Sequence, residues 1–168
     1  MSITIVLENI RSAWNVGSVF RSCDALGFDL FLVGYTPTPT LANMKLISKT
    51  AIGAEKTVSW KHFDHSQEVF NNYSGSTHLA IEISEQSQSI YDFLGEVGVV
   101  SNKSSSRDSD PNIILWFGNE IHGVSQLVCE QSTKQLHLPM NGIKESLNVS
   151  SCMCAVGYMF NLVFHNKK

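Results

Sequence analysis

Three polar loops hold the side chains of this sequence that have chemistry to offer. The first, Asn9-Ile-Arg-Ser-Ala-Trp-Asn-Val-Gly17, is closed by Arg21, one of three arginines with Arg11 and Arg107. Arg21 falls one turn into the helix that follows. There its planar donor fork would clamp a phosphate or organise a nucleophilic hydroxyl. The plain alternative is a surface arginine behind an Asn15 cap. The second loop is Phe117-Gly-Asn-Glu-Ile-His-Gly123. Its Glu120 carboxylate would stabilise a cationic partner such as Arg21, or else cap the next helix from outside. Gly123 permits a tight turn, and His122 is a weak signal for a base. The third loop runs from Leu138 to Asn148. Pro139 and Gly142 shape it, and Met140 offers an apolar wall. Ser146 and Asn148 stand where the last helix begins, and unpaired backbone N–H groups there suit an acceptor. An adenosine-bearing ligand fits this chemistry, with apolar faces for the base and backbone groups for its edge.

Several familiar devices are missing. Gly17, Gly27 and Gly34 are wrongly spaced for a dinucleotide fingerprint, and no phosphate-binding GxxxxGK[ST] or GxSxG elbow occurs. His62 and His65 have ligand-like spacing without a coherent third and fourth ligand, so no metal is expected. Cys23, Cys129, Cys152 and Cys154 form no CxxC pair. They read as reduced, mostly buried thiols of a cytoplasmic protein. The net charge of −3 opposes a broad polyanion-binding surface but allows a local basic patch made by two subunits. The start Met1-Ser-Ile-Thr lacks a basic signal-peptide region, and no apolar run reaches the ~18 residues of a membrane span.

The elements that must position these loops follow from periodicity. Apolar runs predict strands at 3–7, 30–33, 57–60, 78–82, 113–117 and 134–138. Helical spacing predicts helices at 16–26, 41–50, 124–130 and 146–164, a capped one from Ser66, and a weak helix or turn at 89–94. The serine-rich stretch 101–112 reads as a surface loop. Alternating strands and helices select one α/β domain, a mostly parallel sheet with helices on both faces.

Taken together, the three loops resemble the motifs of the SpoU/TrmH branch of the SPOUT RNA methyltransferases. The matching pieces are Asn15-Val-Gly17 with Arg21, the stretch 117–123, and Leu138 to Gly142 followed by Ser146-Leu-Asn-Val-Ser150. The resemblance spans about residues 4–160. It implies a C-terminal deep trefoil knot, S-adenosylmethionine as cofactor, and a homodimer formed through the knot and the last helix. It implies methyl transfer to a ribose 2'-hydroxyl of RNA, most readily tRNA. An rRNA substrate and a non-catalytic RNA-binding protein of the same fold are the alternatives. By resemblance, Arg21, Asn15, Glu120, Ser146 and Asn148 are catalytic, with Glu120 orienting the arginine. Gly118, Asn119, Leu138, Met140, Gly142, Ser146 and Leu147 hold the cofactor. Arg11, Arg21, Lys45 and Lys49 are expected to contact RNA; Lys45, Lys49, Lys56 and Lys61 make a candidate phosphate patch, with an ordinary solvated face as the plain alternative. Minimal members of the family lack an extension, and residues 1–168 are expected to form one such domain without a separate RNA-binding unit.

Overall fold

The computed structural model describes residues 2–101 and 112–165. In chain order the elements are β1 (Ile3–Glu8), α1 (Ala13–Leu26), β2 (Asp29–Val33), α2 (Met44–Ala51), a 3-10 turn (Ala54–Lys56), β3 (Trp60–Phe63) and α3 (Ser66–Asn72). Then come β4 (Thr77–Ile81), β5 (Gln88–Ser89), α4 (Ile90–Ser101), β6 (Ile113–Phe117), α5 (Gln126–Gln131), β7 (Lys134–His137) and α6 (Val149–His165). The strands form one sheet in the order β3-β2-β1-β6-β4-β7-β5, and every pairing is parallel. The expected fold class is therefore the observed one.

Every residue of β1 and β6 is buried, as strands covered on both faces must be. Strand alternation sends Ile5, Leu7, Leu115 and Phe117 to one face, where α1 and α6 close the core. Val6, Phe31, Ile114 and Trp116 go to the other, which carries Val69 and Phe70 of α3 and Val128 of α5. Glu8 ties this second layer to the end of β1. Its carboxylate accepts from the Ser66 hydroxyl, the Ser125 hydroxyl (2.7 Å) and the Ser125 N–H (2.9 Å).

Several element boundaries move, each for a local reason. Helix α1 starts at Ala13 because Ser12, not Asn15, is its cap, with the Asn15 N–H 3.4 Å from the Ser12 hydroxyl. It stops at Gly27, whose φ of 69° an L side chain disfavours. Thr57 and Val58 close the 3-10 turn through bonds to the Ala54 carbonyl, so β3 begins only at Trp60. Ser66 does not cap α3; His65 holds that position, and the Ser66 hydroxyl goes to Glu8. The weak segment at 89–94 is a real helix, α4, preceded by the short strand β5. Helix α6 begins at Val149, three residues after Ser146. Of the serine-rich loop, residues 102–111 lie outside the described residues.

Beneath the second face, Trp116 stacks on Phe70 at 4.9 Å and 13°. Its indole N–H donates to His78 Nδ1 (3.1 Å), while His78 Nε2 donates to the Tyr73 carbonyl (3.0 Å). The Trp116 bond requires an unprotonated Nδ1 and so the neutral ring. Burial, opposed by the Tyr73 bond, holds His78 below its ordinary value of 6.5. The unfolded chain therefore takes up a proton that the folded chain refuses. Stability should fall as pH drops below 6.5 toward the lowered folded value. Denaturant midpoints across this range should show the slope in the wild type. A His78→Gln variant, which keeps a donor and an acceptor but cannot charge, should lack that component.

Candidate active site

Strands β4, β6 and β7 are neighbours, and parallel pairing brings their carboxyl ends to one edge. Open α/β sheets hold ligands at such an edge. The loops after these strands enclose a cleft of about 420 Å³. After β7 the chain runs back across the edge and lays α6 against α1. Of the expected cofactor residues, Gly118, Asn119, Leu138, Met140, Ser146 and Leu147 line the cleft, as do Glu120 and Asn148. Gly142 does not line it. It is exposed in the third loop, and a Cβ built there would meet nothing within 4 Å.

The second loop is folded back on itself. Asn119 and Gly123 exchange both backbone hydrogen bonds at 2.9 Å. A Cβ on Gly118 would lie 2.1 Å from the Gly123 carbonyl carbon. Gly123 has φ of 69°, and a Cβ there would lie 2.1 Å from Glu82 Oε2. The Asn119 side chain is wholly engaged in shaping this loop. Its Nδ2 donates to the Asn9 carbonyl and the Tyr35 hydroxyl, both at 2.8 Å. Its Oδ1 accepts from the N–H groups of Ile121 (2.8 Å) and His122 (3.0 Å). The Asn119 side chain therefore shapes the loop and is not offered to a ligand.

Glu82 was missed in the sequence. It sits just past β4 and accepts from the N–H groups of Val124 (2.7 Å) and Ile83 (3.0 Å). Its position at the end of a buried parallel strand was the available signal.

A chain of hydrogen bonds joins all three loops at the mouth of the cleft. Glu120 accepts from the Arg11 N–H (2.9 Å), the Ser12 N–H (3.2 Å) and Asn15 Nδ2 (3.0 Å). Asn15 Oδ1 in turn accepts from Asn148 Nδ2 (3.1 Å). Asn148 Oδ1 caps α6, accepting from the Ser150 N–H (3.0 Å) and hydroxyl (2.7 Å). The Ser146 hydroxyl, also at the cleft, has no partner among the described residues.

Arg21 is not part of this chain. The expected pairing of Glu120 with Arg21 is replaced by Glu120 bonding to the first loop itself. Asn15 and Arg21 are six residues apart on α1, so they point about 120° apart around its axis. Arg21 instead lines a neighbouring cavity of about 450 Å³ with Ser18, Ser22, Lys49, Cys154 and Tyr158. Among the described residues it has no hydrogen bond or ion pair.

Desolvation raises the Glu120 pKa. The bonds from Arg11, from its own N–H, from Asn15 and from Ser12 outweigh that, and the net value is lowered. The stabilisation is complete above the ordinary value of 4.5 and is lost as pH falls through the lowered folded value. Glu120→Gln puts a donor where N–H groups already point. With exposure discounted, it should cost about 1 kcal/mol, or about 3 °C in Tm. The gap to wild type should close on acidification, which scanning calorimetry can follow.

Cys152, at the back of the cleft, is pushed up to about 11 by burial and then by the Glu82 charge. Burial raises Cys23 as well. Both are protonated thiols, unsuited to nucleophilic work at neutral pH.

The lysines divide. Lys45 and Lys49 lie one turn apart on α2, exposed, and Lys49 shares the Arg21 cavity. Arg11 is exposed, and the contact it makes to Glu120 is through its backbone. Lys56 is exposed in the 3-10 turn. Lys61 leaves the expected patch altogether. It pairs in register with Phe31 on the opposite face of the sheet and donates to the Tyr73 hydroxyl at 2.9 Å.

A parallel sheet whose last helix is carried back over the ligand edge is the architecture of the SPOUT knotted fold. The chain belongs to the SpoU rRNA Methylase family, whose model matches residues 2–158. It is 29% identical over 150 residues to the tRNA (guanosine(18)-2'-O)-methyltransferase of Thermus thermophilus, covering 88% of this chain and 68% of that one. It is 28% identical over 157 residues to the 23S rRNA (guanosine-2'-O-)-methyltransferase of Neisseria meningitidis, covering 88% and 53%. The chain spans about half the length of several curated relatives it matches, at 54% for a TrmH family protein of Staphylococcus aureus. The TrmH/SpoU tRNA modifying enzyme of A. aeolicus has the same fold, with a TM-score of 0.78 at 22% identity over 99% of this chain and 77% of that one. So does an AdoMet-bound rRNA methyltransferase of Sinorhizobium meliloti, at 0.74 and 18% identity over 99% and 57%.

Proposed function

We propose that this chain transfers a methyl group from S-adenosylmethionine to a ribose 2'-hydroxyl of RNA, tRNA in the first instance, in the cytoplasm and as a homodimer. The observation that carries this reading is the hydrogen-bonded chain Glu120–Asn15–Asn148, which locks the three family loops together at the mouth of one cleft. The cleft suits the cofactor. Leu138, Met140 and Leu147 offer apolar walls to an adenine, and the carboxylates Glu82 and Glu120 complement a sulfonium cation. When bound, that cofactor supplies a methyl already activated for displacement.

The protein's own residues do the rest. Positioning the ribose oxygen in line supplies much of the rate. Asn148 and Asn15 order the third loop against the first, and Ser146 offers its hydroxyl, unpartnered among the described residues, to the substrate side. Arg21 and Lys49, two cations at one cavity, suit an RNA phosphate. An arginine stays charged at neutral pH. Arg21 therefore acts by electrostatic, phosphate-assisted activation of the hydroxyl rather than as a base. Exposed Tyr158 and Leu162 on α6 support the homodimer.

The test is incubation of the purified chain with isotopically labelled S-adenosylmethionine and either tRNA or rRNA, followed by mass mapping of 2'-O-methyl groups. Label at a defined ribose of tRNA is the expected result, and label in rRNA alone would move the substrate. Unlabelled RNA together with no cofactor binding in calorimetry would leave a non-catalytic RNA-binding protein.

A further inference from the structure

A third cavity, of about 330 Å³, shares no lining residue with the cleft or with the Arg21 cavity. It is walled by Trp60 and His62 of β3, by Tyr35 and Thr38 of the connection after β2, and by Thr40 and Asn43 at the approach to α2. Trp60 and His62 alternate onto the same face of the edge strand. We propose that this cavity binds a nucleobase of the RNA, that of a nucleotide neighbouring the one whose ribose is methylated. The inference rests on the RNA-methylating reading above and adds where a base is held.

The chemistry of the walls selects the ligand. Trp60 presents an indole of fixed orientation, because the Phe20 ring meets it edge-on at 6.4 Å and 86°. Its N–H has no partner among the described residues, nor do the Asn43 amide and the Thr38 and Thr40 hydroxyls. An aromatic face beside unengaged donors and acceptors is what a flat heterocycle with a hydrogen-bonding edge requires. Among the described residues, no lysine, arginine, aspartate or glutamate lines the cavity. A phosphate is therefore poorly served there and better served by Arg21 and Lys49.

The cavity is also built into the site. The Tyr35 hydroxyl accepts from Asn119 Nδ2 at 2.8 Å, and Asn119 precedes Glu120. Buried Thr36 accepts from the Ile10 N–H (3.0 Å) and donates to the Val33 carbonyl (2.8 Å). Gly34, with φ of 66°, packs where a Cβ would lie 2.1 Å from Asn9 Oδ1. His62 Nε2 donates to the Gly34 carbonyl at 2.9 Å. The wall that touches the base is thus held rigidly to the loop that carries Arg11, Ser12 and Asn15.

The test is filter binding of unfractionated tRNA and rRNA to the full chain and to Asn43→Ala and Trp60→Leu variants. Loss of a stacked base is expected to weaken RNA binding by Trp60→Leu about tenfold. Asn43→Ala should weaken it severalfold without changing Tm, since its amide makes no hydrogen bond among the described residues. The affinity for S-adenosylmethionine should stay as in the wild type for both. RNA affinities equal to wild type in both variants would overturn the proposal. An abasic oligoribonucleotide should erase the Trp60→Leu effect; an effect that persists would assign the cavity to the backbone and overturn it too. Affinity is read without turnover. A wild type that binds RNA but transfers no methyl would therefore sink the methyltransferase reading while this difference still stood.

Discussion

Arg21→Lys is expected to lower the initial rate of methyl transfer to RNA about a hundredfold, the loss typical of removing one preorganised donor at a reacting centre. Charge is retained in this variant, so the loss measures geometry. A lysine ammonium cannot present two parallel N–H groups to a phosphate. Three structural facts sharpen the expectation. Arg21 lines the 450 Å³ cavity and not the cofactor cleft. It has no hydrogen bond or ion pair among the described residues, so no polar contact there is lost in the variant. Lys49 stands beside it, ready to share a phosphate. The affinity for S-adenosylmethionine and the Tm should therefore be unchanged while turnover collapses. Near-normal initial rates would remove Arg21 from the chemistry. A matching loss of cofactor affinity would mean that the two cavities are coupled in a way the geometry does not show.

The second large effect is expected at Gly118. An alanine there would place Cβ 2.1 Å from the Gly123 carbonyl carbon and oxygen and 2.2 Å from the Val124 nitrogen. These are backbone atoms, held by the Asn119–Gly123 pair and by Glu82, so no flexible side chain can yield. The second loop must open. Gly118→Ala should cost about 3 kcal/mol, near the upper end for overpacking, or about 9 °C in Tm. It should also abolish measurable cofactor binding in calorimetry. Gly142→Ala is the control. Its Cβ would meet nothing within 4 Å, so Tm should not move. Unchanged cofactor affinity in that variant would also remove Gly142 from the cofactor set, in keeping with its place outside the cleft.

The physical separation of these two effects follows from the helix between the loops. Asn15 and Arg21 belong to one sequence motif, and their six-residue spacing turns them about 120° apart only because both lie inside α1, whereas periodicity alone begins that helix at Val16. Helical phase decides where each points, and phase acts only once the helix is packed with Val16, Val19, Phe20 and Cys23 against the sheet. The same packing explains why Glu120 meets the backbone of Arg11 and Ser12 rather than the Arg21 guanidinium. Lys61 leaves the four-lysine patch for a related reason. Lys49 and Lys61 are near in sequence, but β3 alternation puts Lys61 on the far face, beside Tyr73.

What the sequence determined by itself is local and periodic. Continuous apolar runs marked β1 as a central strand and β6 as one covered on both faces. Glycine and polar clusters marked the three loops, and their residue types already pointed to a phosphate or hydroxyl, a carboxylate facing a cation or a helix end, and an adenosine-bearing ligand. The tertiary structure alone decided which of those groups meet. Sheet order made β4, β6 and β7 neighbours and brought their ends to one edge, including Glu82, which no motif had singled out. It also set Tyr35, Trp60 and Asn43 around one cavity. Periodicity reports which face of an element is apolar. Which elements are then laid side by side depends on contacts between residues a hundred positions apart, such as Arg11 with Glu120, and those arise only when the whole sheet closes.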